Sequence, residues 1–205
     1  GLDAETMARR REREAEEAAA ALGVTDLVQL GFRERAWSEE SVSSALAPLL
    51  AGASILYAPS PVDYHPDHLG LARLLAPLVP GGARVRTMEI GVPLGPALVN
   101  LVADVRPVAG RKAAALAAHA SQAATLRSLE RLVRYRAALH GPAAGEVFWE
   151  LASPAYARLV ADARWDWRRT PFRAIRPRPC ADLRAYTTGH RARLGLRDLA
   201  EGRMG

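Results

Sequence analysis

Short apolar runs alternate with helix-forming segments along most of this chain, and this alternation restricts the fold more than any other feature. The runs are rich in Ile, Leu and Val and are bounded by Gly, Pro or polar residues, as buried strands are. Parallel strands need a helical crossover between them, so the alternation predicts an α/β domain with a mostly parallel sheet covered by helices on both faces. The predicted strands are 26–31, 53–58, 85–90, 98–102 and 145–151, and the predicted helices are 7–22, 38–50, 69–78 and 111–139.

The pattern ends near Arg164, after which Trp, Arg and Pro dominate and we predict an irregular or loosely docked tail. We therefore divide the chain into a domain at 1–150 and a C-terminal extension at 151–205. Residues 164–205 carry 11 Arg and 4 acidic residues, which accounts for the net charge of +6 because the rest of the chain is nearly neutral. A basic tail on a neutral body does not predict a nucleic-acid surface. The Trp165–Arg169 segment has aromatic rings that could stack on bases or sugars, but docking of the tail against the body is the favoured interpretation.

Cysteine usage and hydropathy exclude several classes of protein. The single cysteine, Cys180, excludes a disulfide framework and a cysteine-based zinc site. No apolar run approaches the roughly 20 residues that a membrane helix needs. The polar start has no signal-peptide apolar region. We therefore expect a cytoplasmic protein without membrane contact.

The segment Pro59–His68 carries the clearest chemical signal, since it holds two histidines and two aspartates directly after a predicted strand. Ligands of open α/β sheets bind beyond the carboxyl ends of the strands. A neutral imidazole binds zinc, and a neighbouring carboxylate can hold a second imidazole protonated. The simpler alternative is that His65 and Asp67 cap the helix that follows.

The chain contains a series of short motifs: Arg11-x-x-Glu14, Ala21-Leu22-Gly23-Val24, Leu30-Gly31-Phe32, Asp63-x-His65-Pro66-Asp67-His68, His119-x-Ser121-Gln122 and Glu146-x-Phe148, together with Asn100, Asp104 and Lys112. In these motifs and their spacing the chain resembles the LmbE-like, or PIG-L, family of zinc-dependent N-deacetylases over roughly residues 9–150.

The resemblance implies a role for individual residues. His68 matches the zinc ligand, and His65 matches a protonated histidine that stabilises the tetrahedral oxyanion, with Asp67 adjusting its charge. Residues in the positions of substrate contacts are Arg11, Glu34 and Asp63. We treat His119 as structural.

One family motif has no counterpart in this chain. The family has Ala-His-Pro-Asp-Asp-Glu after its first strand, whereas this chain has no Asp-Asp pair and only one His-Pro, at His65-Pro66. The resemblance therefore implies a Rossmann-like three-layer fold whose first βαβ unit is missing. A catalytic zinc normally has three protein ligands, so His68 alone is insufficient. Three explanations stay open: the chain is a fragment of a longer enzyme, which we favour; another chain supplies the segment; or the fold has lost catalysis and is kept for binding.

The sequence thus predicts a zinc-dependent hydrolase that removes an acetyl or similar acyl group from the amine of a glucosamine-type sugar or glycoconjugate. The alternative is a catalytically inactive carbohydrate-binding or scaffold domain of the same fold. A nucleic-acid-associated protein is the weakest hypothesis, and homo-oligomerisation stays open.

Overall fold

The computed structural model describes residues 3–63, 65–90, 93–141, 144–161 and 193–203. The chain separates into two compact units, one of residues 1–31 and 103–146 and the other of residues 32–102 and 147–205, which we describe separately. Most of the predicted tail, with the Trp165–Arg169 segment, lies outside the described residues. The domain division at residue 150 stays a prediction.

The described residues form helices and strands that do not alternate strictly, since α1 and α2, β2 and β3, and α4 and α5 follow one another. The helices are α1 (Ala4–Leu22), α2 (Glu39–Leu50), α3 (Pro66–Leu75), α4 (Ala109–Ala118), α5 (Ala123–His140) and α6 (Ser153–Ala161). The strands are β1 (Ile55–Pro59), β2 (Arg84–Met88), β3 (Leu101–Asp104) and β4 (Ala144–Ala152). No helix among the described residues is both long and apolar enough to span a bilayer.

The strands form one sheet in the order β1-β2-β4-β3. β1 and β2 are parallel, with Ile55 opposite Arg84, and α3 is the crossover between them. β2 and β4 are antiparallel, with Met88 opposite Phe148. The α/β prediction is confirmed, but a mostly parallel, Rossmann-like sheet is not, because the apolar pattern of a strand does not encode the direction of its neighbour.

The core of the second unit lies on one face of this sheet. Val85 of β2 is fully buried and packs with residues of α3 and α6. The hydroxyl of Tyr156 in α6 donates a hydrogen bond to the Ala72 carbonyl oxygen of α3 at 2.5 Å, which ties the two helices together. Of the predicted irregular or loosely docked tail, residues 193–200 are not irregular: they are helical and bury Leu196 in this core.

In the first unit α1 packs against α4. α1 begins at an Asp3 cap and ends at Gly23, whose φ of 76° provides the left-handed C-cap. The predicted strand at 26–31 is wrong, because these residues form no strand and expose Val28. The predicted long helix at 111–139 is divided into α4 and α5 by a turn at His119.

Candidate functional site

In the loop between β1 and α3, polar side chains accept hydrogen bonds from the backbone two residues further along the chain. The hydroxyl of Ser60 accepts the Val62 N–H at 3.2 Å, and the carboxylate of Asp63 accepts the His65 N–H at 2.9 Å. Ser60 and Asp63 are both buried. Such side-chain turns fix the backbone, so this loop delivers the two histidines in a defined arrangement.

His65 is the N-cap of α3. Its Nδ1 accepts the Asp67 N–H at 3.2 Å, and its Nε2 lies 3.2 Å from Oε1 of Glu34. The cap contact uses Nδ1 of His65 as a hydrogen-bond acceptor, and its Nε2 faces the Glu34 carboxylate. Both ring nitrogens of His65 are therefore engaged.

His68 lies one turn further into α3, with its ring centroid 4.7 Å from that of His65. Its Nδ1 is 3.1 Å from Oδ2 of Asp63. The Asp63 carboxylate raises the pKa of His68 above its ordinary value, and burial opposes this rise. A carboxylate behind Nδ1 is the arrangement that orients metal-binding histidines, and it leaves Nε2 as the ligand atom.

A second loop brings Glu34 to this helix. The Arg35 N–H donates to Oδ2 of Asp67 at 3.0 Å. Ligand atoms of Glu34, His65 and Asp67 lie within 4.8 Å of one another. Three ligands of this kind match the number in a catalytic zinc site.

The donor chemistry of these three residues does not fit zinc. A metal on Nε2 of His65 would move the ring proton to Nδ1, where it would face the Asp67 N–H and break the cap of α3. His68 suits a metal better, but within the described parts of the chain no group of three potential ligands includes it. The described residues therefore offer one ligand, His68, and do not complete a zinc site.

The structure brings together most of the predicted site. The residues that meet at the N-terminal end of α3 are Glu34, Asp63, His65, Asp67 and His68. Arg11 is exposed on α1 in the other unit.

Two contacts differ from what the resemblance implies. The Asp67 carboxylate receives the Arg35 N–H, and it is the Asp67 backbone N–H that meets the His65 ring. Asp63 is buried behind the histidines, so its predicted substrate contact stays a prediction.

Sequence reasoning missed Trp37, Gly70 and Ser60. The Trp37 ring lies against Gly70 of α3, and no local pattern links these two positions. Ser60 had a local signal, since a serine two residues before a loop N–H can accept from it.

The motif residues Glu14, Lys112, Ser121 and Glu146 form polar contacts within the first unit. Glu14 accepts the N–H and the hydroxyl of Ser121 at 2.8 and 2.6 Å, and this pairing lowers the pKa of Glu14. Lys112 and the buried Arg136 both pair with Glu146.

Comparison with known proteins gives a family match for the first part of the chain only. Residues 2–79 match the model of the PIG-L family, described as GlcNAc-PI de-N-acetylase. Neither the curated proteins nor the solved structures gave a significant match. The matched segment contains α1, Glu34 and the whole loop from Asp63 to His68, whereas the motifs from Asn100 onward lie beyond it. Residues 2–79 are thus similar to the PIG-L family, and the resemblance seen in the sequence is confirmed for that part of the chain.

Proposed function

We propose that this protein is a zinc-dependent hydrolase that removes an acetyl or similar acyl group from the amine of a glucosamine-type sugar or glycoconjugate. The observation that carries the proposal is the PIG-L match over a segment in which His65 and His68 lie side by side at the carboxyl end of β1. Amide hydrolysis needs a nucleophilic water, stabilisation of the carbonyl oxygen and a proton for the leaving amine.

In this proposal the two histidines have separate duties. His68 offers Nε2 to the metal, and Asp63 positions its ring from behind. His65 presents the N–H at Nε2 to the carbonyl oxygen as negative charge develops there. Arg11 and Glu34 remain the proposed contacts to sugar hydroxyls.

The remaining metal ligands are proposed to come from outside the described residues. β1 is at an edge of the sheet and exposes Ile55 (44%) and Tyr57 (50%). The unpaired backbone N–H and C=O groups of an edge strand favour pairing with a further strand. This supports a Rossmann-like arrangement in which another βαβ unit adds to β1. A cytoplasmic location and a homo-oligomer stay predictions.

The test measures zinc content and amine release from an N-acetylglucosaminyl substrate. We expect the 205-residue chain to bind zinc weakly, since it offers one described ligand. The variants are tested in a protein that also contains the family segment with the His-Pro-Asp-Asp motif. In that protein His68→Ala should lose the metal. His65→Ala should keep it and lower kcat by roughly 10²–10³, because an oxyanion donor acts in the transition state. Asp67→Asn should fall between wild type and His65→Ala.

His140→Ala is the matched control, because His140 ends α5 in the other unit. Chelator-resistant zinc in the 205-residue chain would contradict the ligand assignment. Zinc loss in His65→Ala but not in His68→Ala would reverse the two roles.

A second function is favoured by one observation, the incomplete ligand set around His68 among the described residues. A catalytically inactive domain of this kind would bind the sugar without hydrolysing it. Binding of N-acetylglucosamine with no amine release in the supplemented protein would support this alternative.

A further inference from the structure

A β-turn places Glu34 beside the ring of His65. The turn closes where the Ala36 N–H donates to the Arg33 carbonyl oxygen at 3.1 Å. Glu34 and Arg35 are its two central residues. Oε1 of Glu34 lies 3.2 Å from Nε2 of His65, and the cap of α3 uses the other ring nitrogen. The turn therefore occupies the space next to the ring nitrogen of His65 that the cap leaves available.

The 33–36 turn is strained at Arg35. Its φ of 58° is in the left-handed region, and in the described parts of the chain Arg35 is the only residue other than glycine with a positive φ. Turns that need a positive φ at their third residue favour glycine or asparagine there, because a Cβ atom crowds the backbone. An arginine in this position therefore disfavours the observed turn, which needs a compensating contact.

The compensating contact is the hydrogen bond from the Arg35 N–H to Oδ2 of Asp67 at 3.0 Å. The contact of Glu34 with His65 contributes less, because the Glu34 side chain is 60% exposed and water competes for it. The cost of one left-handed residue and the gain from one hydrogen bond to a carboxylate are of the same order in free energy. The turn is therefore close to balance between a closed and an open form.

Trp37 fixes the chain directly after the turn. A Cβ atom at position 70 would lie 2.8 Å from Cη2 and 3.2 Å from Cζ2 of Trp37, so the indole ring rests on the backbone of α3 at Gly70. Ser38 then caps α2 by accepting the Ser41 N–H. Movement of the turn is thereby limited to the residues before Trp37.

We propose that the 33–36 turn is a gate over His65, which the Asp67 carboxylate holds closed and which opens next to Trp37. In the open form Glu34 leaves Nε2 of His65, and the ring becomes accessible. Asp67 is then a positioning residue, since it acts on His65 through the turn. The gate rests on the proposed function only in treating His65 as a site residue.

Hydrogen exchange of the amide at residue 35, followed by NMR of the full chain, measures how often the turn opens. Asp67→Ala removes the acceptor and should lower the protection of this amide about tenfold. Asp67→Asn keeps an acceptor oxygen without the charge and should retain most of the protection. Arg35→Gly removes the strain and should raise the protection about threefold. Arg33→Gly is the matched control and should not raise it, because φ is not positive at this position.

Modification of His65 by diethyl pyrocarbonate, located by tandem mass spectrometry, measures access to the ring. The rate should rise about tenfold in Asp67→Ala and fall about threefold in Arg35→Gly, because the reagent reaches the ring in the open form. His140 ends α5 in the other unit and is the internal reference in the same digest.

The gate requires that slower exchange at residue 35 accompanies slower modification of His65 across all the variants. Unchanged protection in Asp67→Ala would show that Asp67 does not hold the turn. Faster modification in Asp67→Asn with intact protection would show that the charge of Asp67 controls the ring, which also overturns the gate.

Amine release from the N-acetylglucosaminyl substrate is measured in parallel. Its absence, with both trends present, rejects the proposed function alone. Its presence without the two trends rejects the gate alone.

Discussion

Replacement of Tyr156 by phenylalanine tests how α3 is held in the core. Tyr156 is fully buried in α6, and burial raises its pKa well above the ordinary value. Its hydroxyl donates to the Ala72 carbonyl oxygen. The N–H of Ala76, the normal helical partner of that oxygen, bonds to Arg73 instead, so the tyrosine supplies the missing partner.

The cost of Tyr156→Phe is set by this one hydrogen bond. Phenylalanine keeps the ring, so little apolar contact is lost. The Ala72 oxygen becomes a buried acceptor without its partner, which costs about 2 kcal/mol in the free energy of unfolding. For a chain of this length that corresponds to a fall of about 4–8 °C in Tm.

Calorimetry and urea unfolding of both proteins measure the effect. Tyr57→Phe is the matched control, because Tyr57 is 50% exposed and water can replace its hydroxyl next to Arg86. It should change the free energy of unfolding by less than about 0.5 kcal/mol. Equal effects of the two substitutions would refute the reasoning that a buried acceptor dominates the cost.

Two further predictions concern the first unit. The pKa of Glu14 is lowered in the folded state, so its stabilising contribution is present above its ordinary pKa near 4.5 and is lost as the pH falls through the folded value. Ser121→Ala should weaken this acid dependence of the urea midpoint, and an unchanged dependence would contradict the pairing. Gly145→Ala should destabilise the protein by about 2 kcal/mol, because its Cβ would lie 2.0 Å from Cγ2 of Val105. Gly110→Ala meets no atom within 4 Å in α4 and should stabilise by about 0.5 kcal/mol, so thermal shifts of the same sign in both variants would show that the packing argument fails.

Local signals located the ends of α1 and α2. Ser38 caps α2 and Gly23 ends α1, as the sequence predicts. The apolar run at 26–31 does not form the predicted strand, because a strand also needs a hydrogen-bonded neighbour, and no local pattern shows whether one is present. The helix at 193–200 was missed because its burial depends on residues far away in sequence.

The site was predictable in position and less so in its contacts. The loop after β1 was found because His and Asp residues cluster at a strand end. Glu34 and His65 are 31 residues apart in sequence, so no local pattern predicts their contact. The contact of the His65 ring with the Asp67 N–H becomes visible only once His65 is known to cap α3.

The contact of Trp37 with Gly70 also limits which substitutions these two positions can accept during evolution. Every amino acid other than glycine carries a Cβ, so each single substitution at position 70 meets the indole ring. A smaller side chain at position 37 removes the obstacle and makes alanine at position 70 acceptable. The order of substitution at the two positions therefore matters. A smaller residue at position 37 has to come first, before a larger residue is accepted at position 70. In the opposite order, the intermediate protein has the Trp37 loop displaced from α3.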